Sequence, residues 1–233
     1  MRGVFVTGTD TGVGKTVFCA GLAWALKRRS IDVGIMKPFA TASKVFSKKY
    51  RSADVALLAR AAGVKENDAD LNPSFYSIAA SPMMASSLTG KPPPAIQDVL
   101  ESLQRLAFKH DFLIVEGIGG IMVPLTMSNP LADFAKSAEL PVIIIARPGL
   151  GTLNHTMLTV NACKNYGLRI AGIVVNSMPK KPTLVEKNNP DALSKLTNVP
   201  VIGIIPKLRV PAYSSAGRAI EKAIDLDLLI SMK

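Results

Sequence analysis

Cysteine, histidine and long hydrophobic runs are scarce in this sequence, and each scarcity excludes a class of protein. Its 233 residues include two cysteines, Cys19 and Cys163, which are too few for a disulfide framework and fit buried thiols in a reducing compartment. Its two histidines, His110 and His155, do not support a histidine-based metal site, and His155 is expected to pack or cap a helix. No apolar run reaches the roughly 18 residues that a membrane-spanning helix needs, so no membrane partner is expected.

Acidic and aromatic residues are also few. The 28 Lys and Arg outnumber the 17 Asp and Glu, which leaves a net charge of +11. The basic residues are spread along the chain and do not alternate with aromatics, as they do in proteins that stack nucleic-acid bases. We therefore expect no nucleic-acid partner, and a basic surface that attracts small anionic substrates.

Short apolar runs alternate with amphipathic segments along the whole chain, and the runs are hydrophobic on both faces, as helix-covered parallel strands require. The predicted strands are Gly3–Thr7, Asp32–Lys37, Phe112–Glu116, Pro141–Ala146, Ile170–Asn176 and Val201–Ile205. The predicted helices are Lys15–Arg29, Ser52–Ala62, Ala95–Phe108, Asn154–Tyr166, Pro190–Leu196 and Ala216–Leu228. Pro179–Pro190, rich in Lys, Asn and Pro, predicts a mobile surface loop. We expect one α/β domain over residues 1–233, with a doubly wound, mainly parallel sheet and ligands at the carboxyl ends of its strands.

A glycine-rich loop follows the first predicted strand. Gly8–Gly14 joins that strand to the helix that Lys15 and Thr16 begin, in the order of a phosphate-binding loop. Glycines let backbone N–H groups turn towards an anion, Lys15 can reach the terminal phosphates, and the Thr16 hydroxyl can bind Mg²⁺. Five residues separate Gly8 from Gly14 where four are usual, so a glycine-rich turn unrelated to phosphate is the alternative. The flanking strand and helix favour a nucleotide site, and because a cleaved leader would remove the loop, no signal peptide is expected.

An acidic residue closes another apolar run. Phe112–Glu116 is predicted to be a strand, and the glycine-rich segment Gly117–Gly120 comes directly after it. A carboxylate at a strand end beside the phosphate loop can bind Mg²⁺, and the glycines allow a ligand to approach the backbone. An acid that only caps the next turn is the alternative.

Taken together, these motifs resemble the dethiobiotin synthetase family over roughly the first 208 residues. The matching segments are Val6–Thr16, Lys37–Pro38, Ser52–Asp54, Val115–Gly120, Gly149–Thr159 and Gly172–Asn176. The expanded loop spacing is that family's own pattern. The resemblance implies a cytoplasmic ligase that uses ATP and Mg²⁺ to carboxylate 7,8-diaminopelargonate with CO₂. It further implies a carbamate on one amine, a mixed anhydride made from it by ATP, and ring closure by the second amine to give dethiobiotin.

The resemblance also implies roles for individual residues. Lys15 and Lys37 would steady the phosphate and carbamate charges, and the Mg²⁺ ligands would be Thr16, Asp54 and Glu116. The nucleotide, including its adenine, would contact Gly12, Val13, Gly14, Lys15, Thr16, Val17, Asp54, Glu116, Gly117, Ile118, Gly119, Asn176, Ser177, Pro206, Lys207 and Leu208. The diamine would contact Thr11, Thr41 and Ser81, and also Gly151, Thr152, Leu153 and Asn154, which reach in from the second subunit of a homodimer.

The chain departs from the family pattern mainly near the diamine. Gly12, Ala42, Ala79 and Met83 stand where some or many members have Glu, Gly, Pro and His, and nothing is matched beyond Leu208. These departures bear on the identity of the substrate more than on the use of ATP.

Two other functions are compatible with the same fold. One is a partition-type ATPase that switches partners, and the other is an amidoligase-like enzyme that acts on another substrate. The switch ATPases carry an extra lysine early in the phosphate loop, and the presence of Asp10 at that place disfavours them.

Overall fold

Eight strands in two parallel sheets form the centre of the computed structural model, counted over residues 1–208 and 212–232, which are those that the structure describes. The strands are β1 (Gly3–Gly8), β2 (Val33–Met36), β3 (Phe39–Thr41), β4 (Ser74–Tyr76), β5 (Phe112–Gly120), β6 (Val142–Ala146), β7 (Ile170–Met178) and β8 (Val201–Pro206). The larger sheet has the order β2-β5-β1-β6-β7-β8 with parallel neighbours throughout, and β3 pairs with β4. The predicted α/β fold with a mainly parallel sheet is confirmed.

Helices follow the strands along the chain and pack against the sheet. They are α1 (Lys15–Arg28), α2 (Ala53–Ala62), α3 (Asp68–Leu71), α4 (Pro82–Thr89), α5 (Ile96–Lys109), α6 (Leu131–Ser137), α7 (Thr152–Asn165), α8 (Leu184–Thr197), α9 (Tyr213–Ala223) and α10 (Leu226–Ser231). Every residue of β1 and β6 is buried. Because successive side chains of a strand point to opposite faces, the sheet must be covered on both faces. Within the described residues, every helix is too short or too polar to cross a membrane.

The C-terminal helices belong to the same core. Helix α9 packs closely against α1, and glycines at the contact make this possible. A side chain on Gly21 would collide with Ala216, and one on Gly217 would collide with the Trp24 ring. Ile220 of α9 is fully buried. Helix α9, which has no counterpart in the sequence motifs, therefore helps to cover α1, the helix that follows the glycine-rich loop.

Two of the expected elements are wrong in part. Pro179–Pro190 is not a loop throughout, because α8 begins at Leu184. The Thr183 side chain accepts the Glu186 N–H, and the Glu186 carboxylate accepts the Thr183 N–H, so a capping box starts the helix despite the proline-rich composition. The predicted last helix is divided in two, because the Asp225 side chain caps a new helix, α10.

Strand register brings the predicted site residues together. Val6 of β1 pairs with Glu116 of β5, and Met36 of β2 pairs with Val115, so Lys37 leaves β2 at the level of Glu116. The sequence predicts that Glu116 ends its strand. Strand β5 continues to Gly120, however, so Glu116 lies within the strand. The result is a crevice above β1, β2 and β5.

Candidate functional site

The phosphate loop forms a turn that opens α1. Gly14 has the left-handed backbone conformation, with φ of 93°, and a side chain there would collide with the Asn176 amide. Among the described residues no side chain caps the first turn of α1, so the loop leaves its backbone N–H groups for an anion. Asn176, in β7, donates from Nδ2 to the Val13 carbonyl oxygen at 2.8 Å and fixes the loop to the neighbouring strand.

Lys15 is a buried cation held over this loop. Its residue is 7% exposed, and Nζ donates to the Asp10 carbonyl oxygen at 3.0 Å. Burial lowers the pKa of Lys15, the Lys37 charge adds to that effect, and Glu116 opposes it. A phosphate oxygen would supply the opposite charge that a backbone carbonyl lacks.

Glu116 is at the centre of a buried ionic cluster. It is 1% exposed, and its Oε1 accepts from Lys37 Nζ and from Thr16 Oγ1, each at 2.7 Å. Lys37 Nζ also lies 2.6 Å from Asp54 Oδ2. The predicted residues Thr16, Lys37, Asp54 and Glu116 thus form one connected group beside Lys15.

The cluster keeps Lys37 charged. Burial alone would lower the pKa of Lys37, but the Glu116 and Asp54 carboxylates outweigh burial and raise the pKa above its ordinary value. Lys37 is therefore a fixed positive charge and not a general base. Glu116 Oε2 is buried and has no hydrogen-bond partner in the part of the chain that the structure describes, so this carboxylate can take another cation.

The donor atoms around Glu116 suit a hard divalent cation. Two carboxylates and one hydroxyl, from Asp54, Glu116 and Thr16, are oxygen donors of the kind that Mg²⁺ takes while it keeps waters and phosphate oxygens. The described residues contain no cluster of three or more His, Cys, Asp or Glu that could hold a metal ion. A metal here would therefore need waters or phosphate oxygens as further ligands. The arrangement fits a metal that arrives with a nucleotide.

A cleft of about 510 Å³ opens beside the cluster. It is lined by Thr11, Gly12, Lys15, Thr16, Lys37, Thr41, Asp54, Ala79, Ala80, Ser81, Glu116, Ile118, Gly119 and Val123. The predicted diamine contacts Thr11, Thr41 and Ser81 therefore share one cavity with the ionic cluster. A larger groove, of about 770 Å³, runs along β8, but it contains none of the residues of the cluster.

The departures from the family pattern have different positions. Gly12 and Ala79 line the cleft, whereas Ala42 and Met83 are not among its lining residues. The Ala42 N–H donates to Tyr76 and the Met83 N–H to Pro124, each through a backbone carbonyl. Gly12 has φ of 77° and open space beside it, so glycine there leaves room at the mouth of the cleft.

The remaining residues that are predicted to contact the nucleotide lie along or beside the loop. Gly117 follows Glu116 in β5, and Val17 is in the first turn of α1. On the opposite flank, Ser177 of β7 has φ of 64°, and Met178 pairs with Pro206 of β8. The Lys207 N–H donates to the Met178 carbonyl oxygen, which places the Pro206–Leu208 turn next to Asn176 and Ser177.

The segment Gly151–Asn154 lies elsewhere. It forms the left-handed cap and first turn of α7 and is not part of the cleft lining. Leu150, just before it, is 91% exposed, whereas Thr152 is fully buried. A single chain therefore does not bring Gly151–Asn154 to the Lys37 cluster.

Sequence reasoning misses one residue that contacts the phosphate loop. Arg147, directly after β6, donates from Nη2 to Asp10 Oδ2 at 2.9 Å. The same Nη2 is 3.2 Å from His155 Nδ1. Of the two roles expected for His155, capping is wrong, because the N-cap of α7 is Gly151 and no side-chain hydrogen bond caps it among the described residues. The available signal is the position of Arg147, since side chains that follow parallel strands face the ligand edge of the sheet.

The sequence was compared with family models and with curated proteins, and both comparisons give matches along nearly the whole chain. Residues 2–211 match the family model described as an AAA domain. The chain is 39% identical to the ATP-dependent dethiobiotin synthetase BioD of Bacillus subtilis (strain 168) over 231 residues, or 99% of this chain and 98% of that protein. It is also 39% identical to the protein of that name from Nitrosopumilus maritimus, over 99% of this chain and all of that protein. Both matches extend well beyond Leu208.

A solved structure with the same fold is the MinD cell division protein of Aquifex aeolicus. The TM-score is 0.57 at 15% sequence identity, and the alignment covers 99% of this chain and 94% of that one. MinD complexed with Mg-ADP from Pyrococcus horikoshii gives a TM-score of 0.53 at 18% identity, over 94% of this chain and 88% of that one. At these identities the likeness concerns the fold alone.

Proposed function

The chain belongs to the ATP-dependent dethiobiotin synthetase family, and we propose that the cleft above β1, β2 and β5 is where it joins CO₂ to a diamine. It is an ATP-dependent cyclo-ligase. In the proposed sequence, one amine of 7,8-diaminopelargonate adds to CO₂ and loses a proton, which gives a carbamate. A carbamate oxygen then takes the γ-phosphoryl group and ADP leaves. The second amine attacks the carbamoyl carbon, and the bond to phosphate breaks as the cyclic urea closes.

The observation that carries this proposal is the placement of Lys37. Its ammonium group is bound to Glu116 and Asp54 within a cleft that also contains Lys15. A carbamate and a γ-phosphate are both anions and repel each other, so a site that joins them needs positive charges close by. Simple hydrolysis has to place only a water, and would have less use for a second buried lysine.

Each lysine has its own part in this scheme. Lys15 would bind the terminal phosphates, because it lies at the start of α1 above the phosphate loop. Lys37 would hold the carbamate oxygen in line with the phosphorus, because its pKa stays above neutrality and its position is fixed by two carboxylates. Mg²⁺, bound by Thr16, Asp54 and Glu116, would neutralise phosphate charge.

The diamine would occupy the end of the cleft that Thr11, Thr41 and Ser81 line. Hydroxyl groups can accept from or donate to amine nitrogens, which suits a substrate that changes from ammonium to amine during the reaction. The Ser81 hydroxyl also accepts the Met84 N–H at 3.4 Å and so begins α4, which keeps this wall of the cleft in position. The adenine would lie between Asn176 and Ser177 on one side and Pro206, Lys207 and Leu208 on the other.

We also propose a homodimer in which Gly151–Asn154 completes the cleft of the other subunit. The open end of α7 suits a carboxylate, and the segment is not among the residues that line its own cleft. Exposed apolar side chains at Met122, Leu150 and Leu158 are available for a subunit contact. We further propose that residues 1–233 act as one domain, which one core cluster supports, and that it works in the cytoplasm, where its free buried Cys19 and Cys163 would stay reduced.

The reaction is tested by supplying ATP, bicarbonate and 7,8-diaminopelargonate and measuring phosphate release. Release is expected only when all three are present, and mass spectrometry should show that the diamine gains one carbonyl in a cyclic urea. Leaving out the diamine is the control. Phosphate release at the same rate without the diamine would contradict the proposal and favour a switch ATPase.

A further inference from the structure

The phosphate loop contains an acidic side chain at a place where phosphates are to be bound. Asp10 lies between Gly8 and Gly12, and its side chain is 52% exposed. A free carboxylate there would repel the nucleotide phosphates, whose charge the rest of the loop is arranged to attract. The presence of Asp10 therefore requires something that offsets its charge.

Each oxygen of Asp10 is engaged within the protein. The carbonyl oxygen accepts from Lys15 Nζ at 3.0 Å, and Oδ1 accepts the Thr11 N–H at 2.7 Å. Oδ2 accepts from Arg147 Nη2 at 2.9 Å. Asp10 thus fixes the turn that leads to Gly12, and Arg147 holds Asp10 from the end of the adjacent strand β6.

The position of Arg147 is set from a second side. Its Nη2 lies 3.2 Å from His155 Nδ1, and since an arginine only donates, this contact requires a neutral imidazole that accepts at Nδ1. Helix α7, which carries His155, begins at Thr152, five positions after Arg147. The guanidinium therefore connects the phosphate loop to the beginning of α7.

We propose that Arg147 is a positioning residue for the nucleotide. It neutralises Asp10 and holds the Asp10–Thr11 turn, so that the loop presents its N–H groups to the phosphates without an opposing negative charge. The proposal rests on the assignment of Gly8–Gly14 as the nucleotide loop. It is tested by nucleotide binding, which can be measured whether or not the ring-closing reaction is the correct one.

The test is a double-mutant cycle of Arg147 and Asp10, read out as the Kd of Mg-ATP and, separately, as kcat. Arg147→Met should raise the Kd about ten-fold, the loss expected for one charge-assisted hydrogen bond, and should change kcat at saturating ATP less than about two-fold. Asp10→Asn should weaken binding much less, because it removes the repulsive charge together with the pair. In the Arg147→Met background, Asp10→Asn should restore most of the affinity.

Two further variants make the result specific. Arg147→Lys keeps the charge and should keep most of the affinity. Arg29→Met breaks another arginine–aspartate pair, with Asp227 at 2.6 Å, in which the arginine is similarly exposed, 37% against 43% for Arg147. It should leave the Kd of Mg-ATP unchanged.

Three results would overturn the proposal. They are an unchanged Kd in Arg147→Met, additive losses in the double variant, and an Arg147→Lys protein that binds no better than Arg147→Met. If Arg147→Met lowers thermal stability too far for titration, Asp10→Asn is decisive by itself: a ten-fold loss of affinity there would also refute charge neutralisation. Failure of the ring-closure assay together with restored affinity in the double variant would refute the reaction and leave the role of Arg147 intact.

Discussion

Lys37 shows how a buried charge can be kept for chemistry. Removing an ammonium group from water is costly, and Lys37 is 5% exposed. Two carboxylates within 2.7 Å offset that cost, and among the described residues Glu116 Oε2 still has no hydrogen-bond partner. A buried carboxylate oxygen without a partner suits a further ligand, because buried polar atoms are normally hydrogen-bonded.

Replacing Lys37 separates catalysis from nucleotide binding. Lys37→Met should lower kcat by about 100-fold or more, the loss typical of one donor that stabilises developing charge, while the Kd of Mg-ATP changes less than about three-fold. Single-turnover kinetics and ATP titration check the two quantities. Lys195→Met, which removes an exposed lysine paired with Asp191 at 3.2 Å, is the control and should match the wild type in both. Parallel losses of kcat and affinity in Lys37→Met would contradict the assigned role.

The lowered pKa of Lys15 should be measurable as proton uptake when ATP binds. Burial lowers its pKa, so between that lowered value and the ordinary 10.5 the free protein lacks a proton that the unfolded chain binds. In this window stability rises with pH, because the charged, buried form is the costly one. Bound phosphates favour the charged form, so ATP binding should take up a proton in alkaline buffer. Calorimetry in two buffers of different ionisation enthalpy measures the uptake.

The control for this prediction is Lys15→Arg. A guanidinium stays protonated throughout the range, so whatever affinity remains should show no proton uptake. Equal uptake in the variant and the wild type would mean that another group is responsible.

At the scale of elements, apolar patterns identify the long strands and helices and miss the short ones. β6 is predicted because Val142–Ile145 is an unbroken run of β-branched residues. β3 and β4 have three residues each, too few to show a period, so apolar patterns do not predict the wall of the cleft near Thr41, which only the resemblance indicates. Asp54 and Lys37 can be identified only through the family motif, since a lysine after a strand is ordinary.

Substitutions of two buried asparagines should separate the binding of ATP from the binding of the diamine. Asn176 donates to the Val13 carbonyl oxygen at 2.8 Å, and Asn189 of α8 donates to the Pro148 carbonyl oxygen at 2.7 Å. In either case substitution by Asp puts a carboxylate against a carbonyl oxygen. Asn176→Asp should raise the KM for ATP about ten-fold or more and leave the KM for the diamine nearly unchanged.

Asn189→Asp is the matched variant and should act in the opposite way. It disturbs the segment before α7 and should therefore raise the KM for the diamine with little effect on ATP. Steady-state kinetics with each substrate varied in turn gives both constants. Equal effects of the two variants on both substrates would show that neither asparagine serves one end of the site.

At the scale of the whole molecule, one part of the proposed substrate site lies outside the cleft of its own chain. The nucleotide loop, the ionic cluster and the Thr11–Thr41–Ser81 wall share one cleft, whereas Gly151–Asn154 is not among the residues that line it. Patterns within a single sequence describe what one chain buries, so they do not reveal a surface that a second copy completes. The proposal of a shared site depends on the resemblance together with this separation.

A shared site makes a quantitative prediction for mixed dimers. Lys37→Met inactivates the cluster, and Asn154→Asp puts a negative charge where the substrate carboxylate would bind; each homodimer should be nearly inactive. A purified heterodimer of the two variants has one cleft in which an intact cluster meets an intact segment. It should recover about half of the wild-type activity per dimer, because one of two equivalent sites is whole.

The reverse arrangement is the control. When both substitutions are placed on one chain and paired with a wild-type chain, each cleft contains one damaged part, so this heterodimer should be nearly inactive. If Gly151–Asn154 served the cleft of its own chain, the outcomes would exchange: the first heterodimer would stay inactive and the second would keep about half of the activity. Dual-affinity tags isolate both heterodimers, and phosphate release in the presence of diamine, ATP and bicarbonate distinguishes the two arrangements.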